Sequence, residues 1–196
     1  MVDPAGHRQD GVPQTSSPAA RGRAATFEPV FVLGVDPGLT RCGYGAVRRV
    51  GAELVAVAAG VLTTAPSTAL PVRLAELQLG LRALLVELQP DVVAVERVFF
   101  QSNVRTAMSV GQASGLALAE AVNAGCEVTQ YTPNEVKMAV TGHGAAPKEQ
   151  VQRMVQAQLG LVVRPRPPDA ADALALALCH LATMRLRASV ARGVAG

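Results

Sequence analysis

The sequence predicts an α/β domain built on a mixed sheet, and three observations carry this prediction. Two unbroken apolar runs each end in a carboxylate, at Val30–Asp36 and at Asp91–Glu96. Short polar steps join the first run to two further strand-like segments, which favours a three-stranded antiparallel meander. Apolar residues spaced at threes and fours then alternate with the later strand-like segments, as in domains whose helices cover a sheet.

The predicted elements follow one another in the order β-β-β-α-β-α-β-α-α-α. The first and fourth strands lack polar alternation, which is typical of central strands covered on both faces. The five predicted strands are Val30–Asp36, Gly43–Val50, Glu53–Thr63, Asp91–Glu96 and Glu127–Tyr131. The five predicted helices run from Pro71 to just before Pro90, from Asn103 to Ala124, from Pro133 after a Thr132 cap, from Pro147 to Leu159, and from Pro168 to about Arg187.

The length of 196 residues is sufficient for one domain with a proper core. Residues 1–28 are rich in Pro, Gly, Ser and Arg and lack an apolar period, so they are predicted to form a disordered extension. The folded domain is predicted at residues 29–187, and residues 188–196 are predicted to form a flexible C-terminal tail. Since aromatic residues make up 3% of the chain and Trp is absent, we expect a core of Ala, Val and Leu.

Charge and cysteine content limit the classes of protein that fit. The formal net charge of +3 permits a polyanionic partner without requiring one. The three cysteines are widely spaced and form no CxxC pair, so neither a disulfide framework nor a thiolate zinc site is indicated. No apolar span approaches the ~20 residues of a membrane helix, and the amino terminus has no apolar signal region. We therefore expect a cytoplasmic protein.

Carboxylates end the two central strands and begin the last helix. If the strands lie side by side and parallel, Asp36 and Glu96 face one crevice at the carboxyl ends of the sheet. Asp169 and Asp172 are three residues apart and share one face of the helix that follows two prolines. The alternative for Asp36 is a turn cap, and for Asp169 and Asp172 it is helix capping. Capping requires one Asp, however, and the segment after Asp172 is too apolar for a solvated face.

Four converging acids without a counter-charge would repel one another and raise one another's pKa. Divalent cations remove that conflict, and hard oxygen ligands select Mg²⁺ or Mn²⁺ over zinc. Two such ions about 4 Å apart activate a water and stabilise the leaving oxygen in phosphodiester hydrolysis. The chain has no His–Cys cluster, GxSxG elbow or P-loop sequence to support a competing chemistry. The sequence therefore predicts metal-assisted phosphoryl transfer to water.

The chain resembles the RuvC family of crossover (Holliday) junction endodeoxyribonucleases from about Phe31 to His180. The resemblance rests on the ordered motifs GVDPG, TRCGYG, AVERVFFQSN, GQASG, YTPNEVKMAVTGHG, PKEQV and DAADALALALCH. It implies an RNase-H-like fold, a homodimer, and Mg²⁺-dependent paired nicking of four-way DNA junctions in recombination and DNA repair. It also implies partnership with the RuvA–RuvB branch-migration machinery. The catalytic, metal-holding residues that it implies are Asp36, Glu96, Asp169 and Asp172.

Five further residues are predicted to bind DNA. By resemblance, Phe99 wedges against unstacked bases at the junction centre, although an aromatic at a strand-to-helix crossover can also be a core plug. Lys137 and Lys148 are the only lysines, and they flank the loop VTGHGAAP where the family places phosphate contacts. Asn103 and Arg105 follow Glu96 and would contact phosphates there, unless they are merely surface residues.

Other polar and small residues are also candidates for a functional role. His143 lies between two glycines in a loop and is expected to be solvated, and capping or packing explains His180. Tyr131 and Thr132 end the last strand near the crevice, where they could touch DNA. The long second helix is a candidate dimer face because of its small and apolar residues, which include Gly111, Gly115, Leu116 and Leu118.

Three rival functions remain open from the residues alone. Actin-like ATPases also begin with an Asp-x-Gly turn after a first strand, but they need two related domains, for which this chain is too short. A related RNase-H-like family acts in RNA processing, but it lacks the DAADALA arrangement and the Phe after the Glu-ended strand. A DNA-binding module that has lost catalysis is the third rival, and the presence of all four acids argues against it.

Overall fold

The computed structural model describes residues 30–97 and 104–194, with the side chains of 104–106 and 187–194 outside the described set. These residues form ten elements, which follow the predicted order. The strands are β1 (Val30–Asp36), β2 (Arg41–Val50), β3 (Glu53–Thr63), β4 (Val92–Glu96) and β5 (Glu127–Tyr131). The helices are α1 (Leu70–Leu88), α2 (Val104–Asn123), α3 (Pro133–Thr141), α4 (Lys148–Gln158) and α5 (Pro168–Val194).

The strands form one mixed sheet in the order β3-β2-β1-β4-β5. β1 pairs antiparallel with β2, and β2 pairs antiparallel with β3, which is the predicted meander. β4 pairs parallel with β1 on one side and with β5 on the other. The predicted α/β architecture, a mixed sheet flanked by helices, is confirmed.

The side chains of the central strands alternate between the two faces of the sheet, so the core consists of two clusters, one on each face. Val32 of β1 and Ala94 of β4 belong to the cluster that α3, α4 and α5 cover. Leu33 and Val95 belong to the opposite cluster, which α1 and α2 cover. Because successive side chains of a strand point to opposite faces, the even-numbered residues that end β1 and β4 project towards α5.

Helix α5 lies against the sheet at positions where β1 and β2 have glycine. A Cβ at Gly34 would overlap the carbonyl of Ala173, and a Cβ at Gly43 would overlap the carbonyl of Asp169. The apolar stretch of α5 from Ala173 to Leu178 is buried, as expected for a segment too apolar for a solvated face. The missing side chains therefore allow the first turns of α5 to approach the ends of the central strands.

On the opposite face, a buried carboxylate joins α1 to α2. Glu120 of α2 is 3% exposed. It accepts hydrogen bonds from Arg82 Nε and Nη2, both at 2.9 Å, and from Gln78 Nε2 at 2.6 Å. Hydrogen bonds to an ionised group are stronger than those between neutral groups. The bonds from Arg82 and Gln78 to Glu120 therefore stabilise the packing of α1 against α2.

The C-terminal boundary differs from the prediction. We expected α5 to end near Arg187 and residues 188–196 to form a flexible tail, but the helix continues to Val194. Residues 188–192 contain neither Pro nor Gly, so nothing in their sequence stops a helix before Gly193. Within the described part of the chain, no helix is long and apolar enough to cross a membrane.

Candidate active site

Asp36 and Glu96 lie beside each other at the carboxyl ends of adjacent parallel strands. The residues that precede them, Val35 and Val95, are partners in the β1–β4 register. Burial raises the pKa of Asp36 to about 8, and a side-chain hydrogen bond with Glu96 and the charges of Glu96, Asp172 and Asp169 act in the same direction. The carboxyl groups of Asp36 and Glu96 therefore share one site at this edge of the sheet, where the raised pKa favours the neutral form of Asp36 until a cation compensates its charge.

Asp169 and Asp172 enter this crevice from the first turns of α5. Their side chains are 28% and 29% exposed, so both are accessible to solvent. Asp169 follows Pro168 at the start of the helix, where the approach over Gly43 brings its backbone onto β2. The three elements β1, β4 and α5 thus bring the four predicted carboxylates to one end of the sheet.

Lys148 borders the crevice at the beginning of α4. Its Nζ lies 2.6 Å from Oδ2 of Asp172. Burial lowers the pKa of Lys148, but the hydrogen bond and charge of Asp172, with Asp36 and Asp169, outweigh it and hold that pKa above its ordinary value. The ammonium group therefore stays charged at neutral pH, as a phosphate contact requires.

A cleft of about 240 Å³ connects the acids with both lysines. Glu96, Lys137, Lys148 and Asp172 line it together with residues of α3, α4 and α5. Lys137 contributes from α3 and is half-buried. A small cleft lined by two of the four acids and by both lysines suits an anionic substrate held by cations.

Three of the predicted DNA contacts cannot be located. Phe99 and Asn103 lie outside the described residues, and so does the side chain of Arg105. The predictions for these three residues therefore stay predictions.

The suggestion that Tyr131 touches DNA is wrong for the side chain. Tyr131 is 6% exposed, and its hydroxyl lies 2.9 Å from Nδ1 of His180, which is also buried. The last residue of β5 continues the strand's inward alternation, so its ring enters the core under α5. Packing therefore explains His180, as expected. Thr132 caps α3 through a reciprocal capping box with Glu135, and His143 is exposed in its loop.

Sequence reasoning missed one charged residue of the site, Arg41. Its Nε and Nη2 lie 3.0 and 2.8 Å from Oδ2 of Asp169. The second strand was predicted from Gly43, whereas β2 begins at Arg41, which places Arg41 on the same face as Gly43, the close-approach position under α5. What the sequence did not contain was the position of α5 on that face.

The donor set fits a divalent metal by its chemistry. All four side chains offer carboxylate oxygens, the ligands that Mg²⁺ and Mn²⁺ prefer, and their mutual repulsion calls for positive charge. Among the side chains that the structure describes, no group of three or more acidic, His or Cys residues is close enough to hold an ion. Asp169 and Asp172 are each paired with a cation, Arg41 and Lys148 respectively.

Together, the mixed sheet and the carboxylates at its central strand ends define an RNase-H-like nuclease. The family profile described as "Crossover junction endodeoxyribonuclease RuvC" matches residues 32–180. The chain therefore belongs to the RuvC family, whose nucleases are metal-dependent, and to neither of the rival enzyme families.

Individual relatives agree with this assignment. The RuvC of Salinispora arenicola is 55% identical over 151 residues, which is 76% of this chain and 86% of the relative. The RuvC of Chloroflexus aggregans is 52% identical over 151 residues, covering 77% and 92% of the two chains. The structure of T. thermophilus RuvC in complex with Holliday junction substrate has a TM-score of 0.76 and 39% identity, and covers 80% of this chain and 96% of that one.

The fold extends beyond these close relatives. The yeast mitochondrial Holliday junction resolvase Ydc2 has a TM-score of 0.55 at 14% identity, covering 77% and 78% of the two chains. This likeness concerns the fold alone.

Proposed function

We propose that this protein resolves four-way DNA junctions by metal-dependent phosphodiester hydrolysis. Membership of the RuvC family supports the reaction and its substrate. The observation that carries the proposal for this chain is the convergence of Asp36, Glu96, Asp169 and Asp172 in one crevice bordered by Lys148. A phosphodiester backbone approaching this crevice would meet cations at its walls and carboxylates at its base.

The metal in this proposal is Mg²⁺, for which Mn²⁺ can substitute, with two ions in each site. The four carboxylates would hold them. Bound there, the ions supply an activated water and stabilise the leaving oxygen. The buried position of Asp36 supports its role as a metal ligand, because burial and neighbouring carboxylates make its charge costly unless a cation compensates it.

The chain's own cations would position the DNA. Lys148 and Lys137 line the cleft beside Glu96 and Asp172, within reach of a phosphate at the metal site. Their ammonium groups bind phosphate without reading sequence, which suits recognition by structure. Phe99, Asn103 and Arg105 complete the proposed DNA-binding set on the grounds of resemblance.

A homodimer is proposed on the exposed face of α2. Met108 and Val122 are 58% and 63% exposed, and Gly111 and Gly115 have open space around their Cα atoms. This stripe of small and apolar residues would pack closely against its symmetry mate. Two active sites related by a two-fold axis would cut two symmetric strands of a junction. A contact with the RuvA–RuvB machinery rests on family membership.

The test compares a synthetic immobile four-way junction with linear duplex of the same sequence, with and without Mg²⁺. The expected result is paired symmetric nicks in the junction that require the metal and spare the duplex. Asp36→Asn is the control variant, since it removes a metal ligand without removing a phosphate contact. Mutating a residue that only hydrogen-bonds to a metal ligand typically costs about 10–100-fold in activity. Since Asp36→Asn alters a ligand itself, we expect the variant to lose at least about 100-fold in cleavage rate while still binding the junction.

Two outcomes would contradict the proposal. Normal nicking by Asp36→Asn in Mg²⁺ would show that the metal site lies elsewhere. Tight junction binding by the unaltered protein without cleavage, on junctions covering all crossover sequences, would identify an inactive junction-binding module.

A further inference from the structure

Arg41 forms an ion pair inside the proposed active site that the catalytic assignment does not explain. Both Nε and Nη2 donate to the same oxygen of Asp169, Oδ2, at 3.0 and 2.8 Å. The guanidinium is 47% exposed, so it faces the solvent side of the crevice and is not part of the core. Arg41 reaches Asp169 from β2, whereas Lys148 reaches Asp172 from α4. The two cations therefore border the acids from different elements.

The backbone that carries Arg41 is held in place by a separate hydrogen-bond network. Thr64 is buried, and its hydroxyl donates to the carbonyl of Leu39 at 2.6 Å. Its backbone N–H donates to the carbonyl of Thr40 at 3.2 Å. Arg73 of α1 donates to the hydroxyls of Thr64 and Thr40 at 2.9 and 2.7 Å. These bonds join the β1–β2 turn to the end of β3 and to α1, so they hold the backbone that immediately precedes Arg41.

A guanidinium on Asp169 and a divalent metal on Asp169 oppose each other. Both bind carboxylate oxygen, and a positive charge at 2.8 Å from that oxygen repels an incoming cation. The ion pair holds the Asp169 carboxylate towards Arg41 on β2. A metal ion that takes Oδ2 of Asp169 therefore displaces Arg41 from its contact.

In the proposed reaction, a phosphate of the DNA substrate is a suitable hydrogen-bond acceptor for the displaced guanidinium of Arg41. Its planar fork of donors matches a phosphate as well as it matches a carboxylate. Arg41 is exposed beside the crevice into which the DNA backbone would enter. A phosphate of the substrate would arrive together with the metal and replace Asp169 as the partner of Arg41.

We propose that Arg41 is a positioning residue that holds Asp169 in the metal-free protein and moves to a DNA phosphate when a divalent metal takes that carboxylate. The proposal rests on the function proposed above. It makes metal loading and DNA binding cooperative. A metal ion on Asp169 frees Arg41 for a DNA phosphate, and a phosphate on Arg41 frees Asp169 for the metal ion. Arg41 thereby acts through Asp169 and the phosphate, without contacting the reacting atoms.

The first measurement is Mn²⁺ binding without DNA, by titration calorimetry. An exposed ion pair is worth a factor of about two to five, so Arg41→Gln should bind Mn²⁺ about two- to fivefold more tightly than the unaltered protein. Arg41→Lys keeps the charge and should bind nearly as the unaltered protein does. Arg164→Gln, which removes an exposed arginine from the loop between α4 and α5, is the matched charge control. Unchanged Mn²⁺ affinity in Arg41→Gln would overturn the proposal.

The second measurement is the salt dependence of junction binding, with Ca²⁺ in place of Mg²⁺ and without any divalent ion. Each phosphate contact contributes about 0.9 to the slope of log affinity against log salt. Arg41→Gln should lower the slope by about that amount with Ca²⁺ and leave it unchanged without. An equal decrease in both conditions would overturn the exchange, because Arg41 would then be a permanent phosphate contact.

The two proposals fail in different ways. If the unaltered protein does not cleave junctions in Mg²⁺, the proposed function is wrong, whereas calorimetry still decides whether Arg41 competes with metal for Asp169. If junctions are cleaved and Arg41→Gln matches Arg164→Gln in both measurements, the proposed function stands and the role of Arg41 is refuted.

Discussion

Asp36 and Gly43 lie directly opposite each other in the antiparallel β1–β2 pair. The carboxylate therefore has a neighbour without a side chain, on the face of the sheet that α5 covers. A Cβ at Gly43 would overlap the carbonyl of Asp169 and lie 3.1 Å from its Cβ. Gly43 is thus the position that allows an acid of the last helix to approach an acid of the first strand.

Gly43→Ala should separate the two carboxylates and destabilise the fold. The obstacle is backbone and not a flexible side-chain end, so α5 must shift, and overpacking of this kind costs about 1–3 kcal/mol. We expect a lower urea midpoint together with weaker Mn²⁺ binding. Gly144→Ala is the matched control, since a Cβ at Gly144 meets its nearest neighbours at 3.6 and 3.8 Å. Equal stability and Mn²⁺ affinity in the two variants would refute the close-approach role of Gly43.

The acids of the site were predictable because their signals are local. Asp36 and Glu96 each end an apolar run, and the parallel pairing that brings them together follows from the α/β pattern. Most strand and helix boundaries were predictable for the same reason, since Pro, Gly and apolar spacing mark them, but β2, predicted from Gly43, begins at Arg41. The end of α5 was not predictable, because no local stop signal precedes Gly193.

The partners of those acids were not predictable because they depend on how α5 lies across the sheet. Arg41 is 128 residues from Asp169 in sequence, and no motif connects them. The inward orientation of Tyr131 likewise depends on the place of His180 on α5, 49 residues away. A sequence pattern predicts which face of a helix or strand is buried. Predicting which side chains contact each other also requires the angle and the offset at which two elements pack.

Lys137→Ala should weaken junction binding and its dependence on salt. Lys137 lines the cleft beside Glu96, and one lost phosphate contact should reduce the salt slope by about 0.9. Fluorescence anisotropy with a labelled junction over a range of KCl concentrations measures both quantities. Arg153→Ala, an exposed basic residue on α4, is the control. A salt slope identical to that of the unaltered protein would return Lys137 to the role of an ordinary surface lysine.

Glu120→Gln should reduce stability at neutral pH and do so less at low pH. Hydrogen bonds from Arg82 and Gln78 to the ionised carboxylate hold the pKa of Glu120 below its ordinary 4.5. Its stabilising contribution is therefore complete above pH 4.5 and is lost as the pH falls through the lower folded-state pKa. At pH 7 we expect a loss of about 1 kcal/mol.

Thermal melting between pH 7 and pH 3 measures this difference. Glu87→Gln, an exposed position of α1, provides the control for removing one negative charge. A constant gap between Glu120→Gln and the unaltered protein over the whole range would show that the charge of Glu120 contributes nothing.

Tyr131→Phe should destabilise the protein without weakening its binding to DNA. The variant removes the hydroxyl that lies 2.9 Å from Nδ1 of buried His180, and losing such a bond costs about 1 kcal/mol. Urea unfolding measures the stability, and anisotropy measures the junction affinity under conditions where both proteins are folded. A loss of junction affinity without a loss of stability would mean that the hydroxyl faces the substrate after all.

The position of α5 after β1 and β4 in chain order has a consequence in time. The ribosome makes β1 and β4 first, so a nascent chain has Asp36 and Glu96 well before it has Asp169 and Asp172. Until the last helix has emerged and docked, the catalytic set proposed above is incomplete. A nascent chain that has not yet reached α5 would therefore lack two of the four carboxylates of the proposed site.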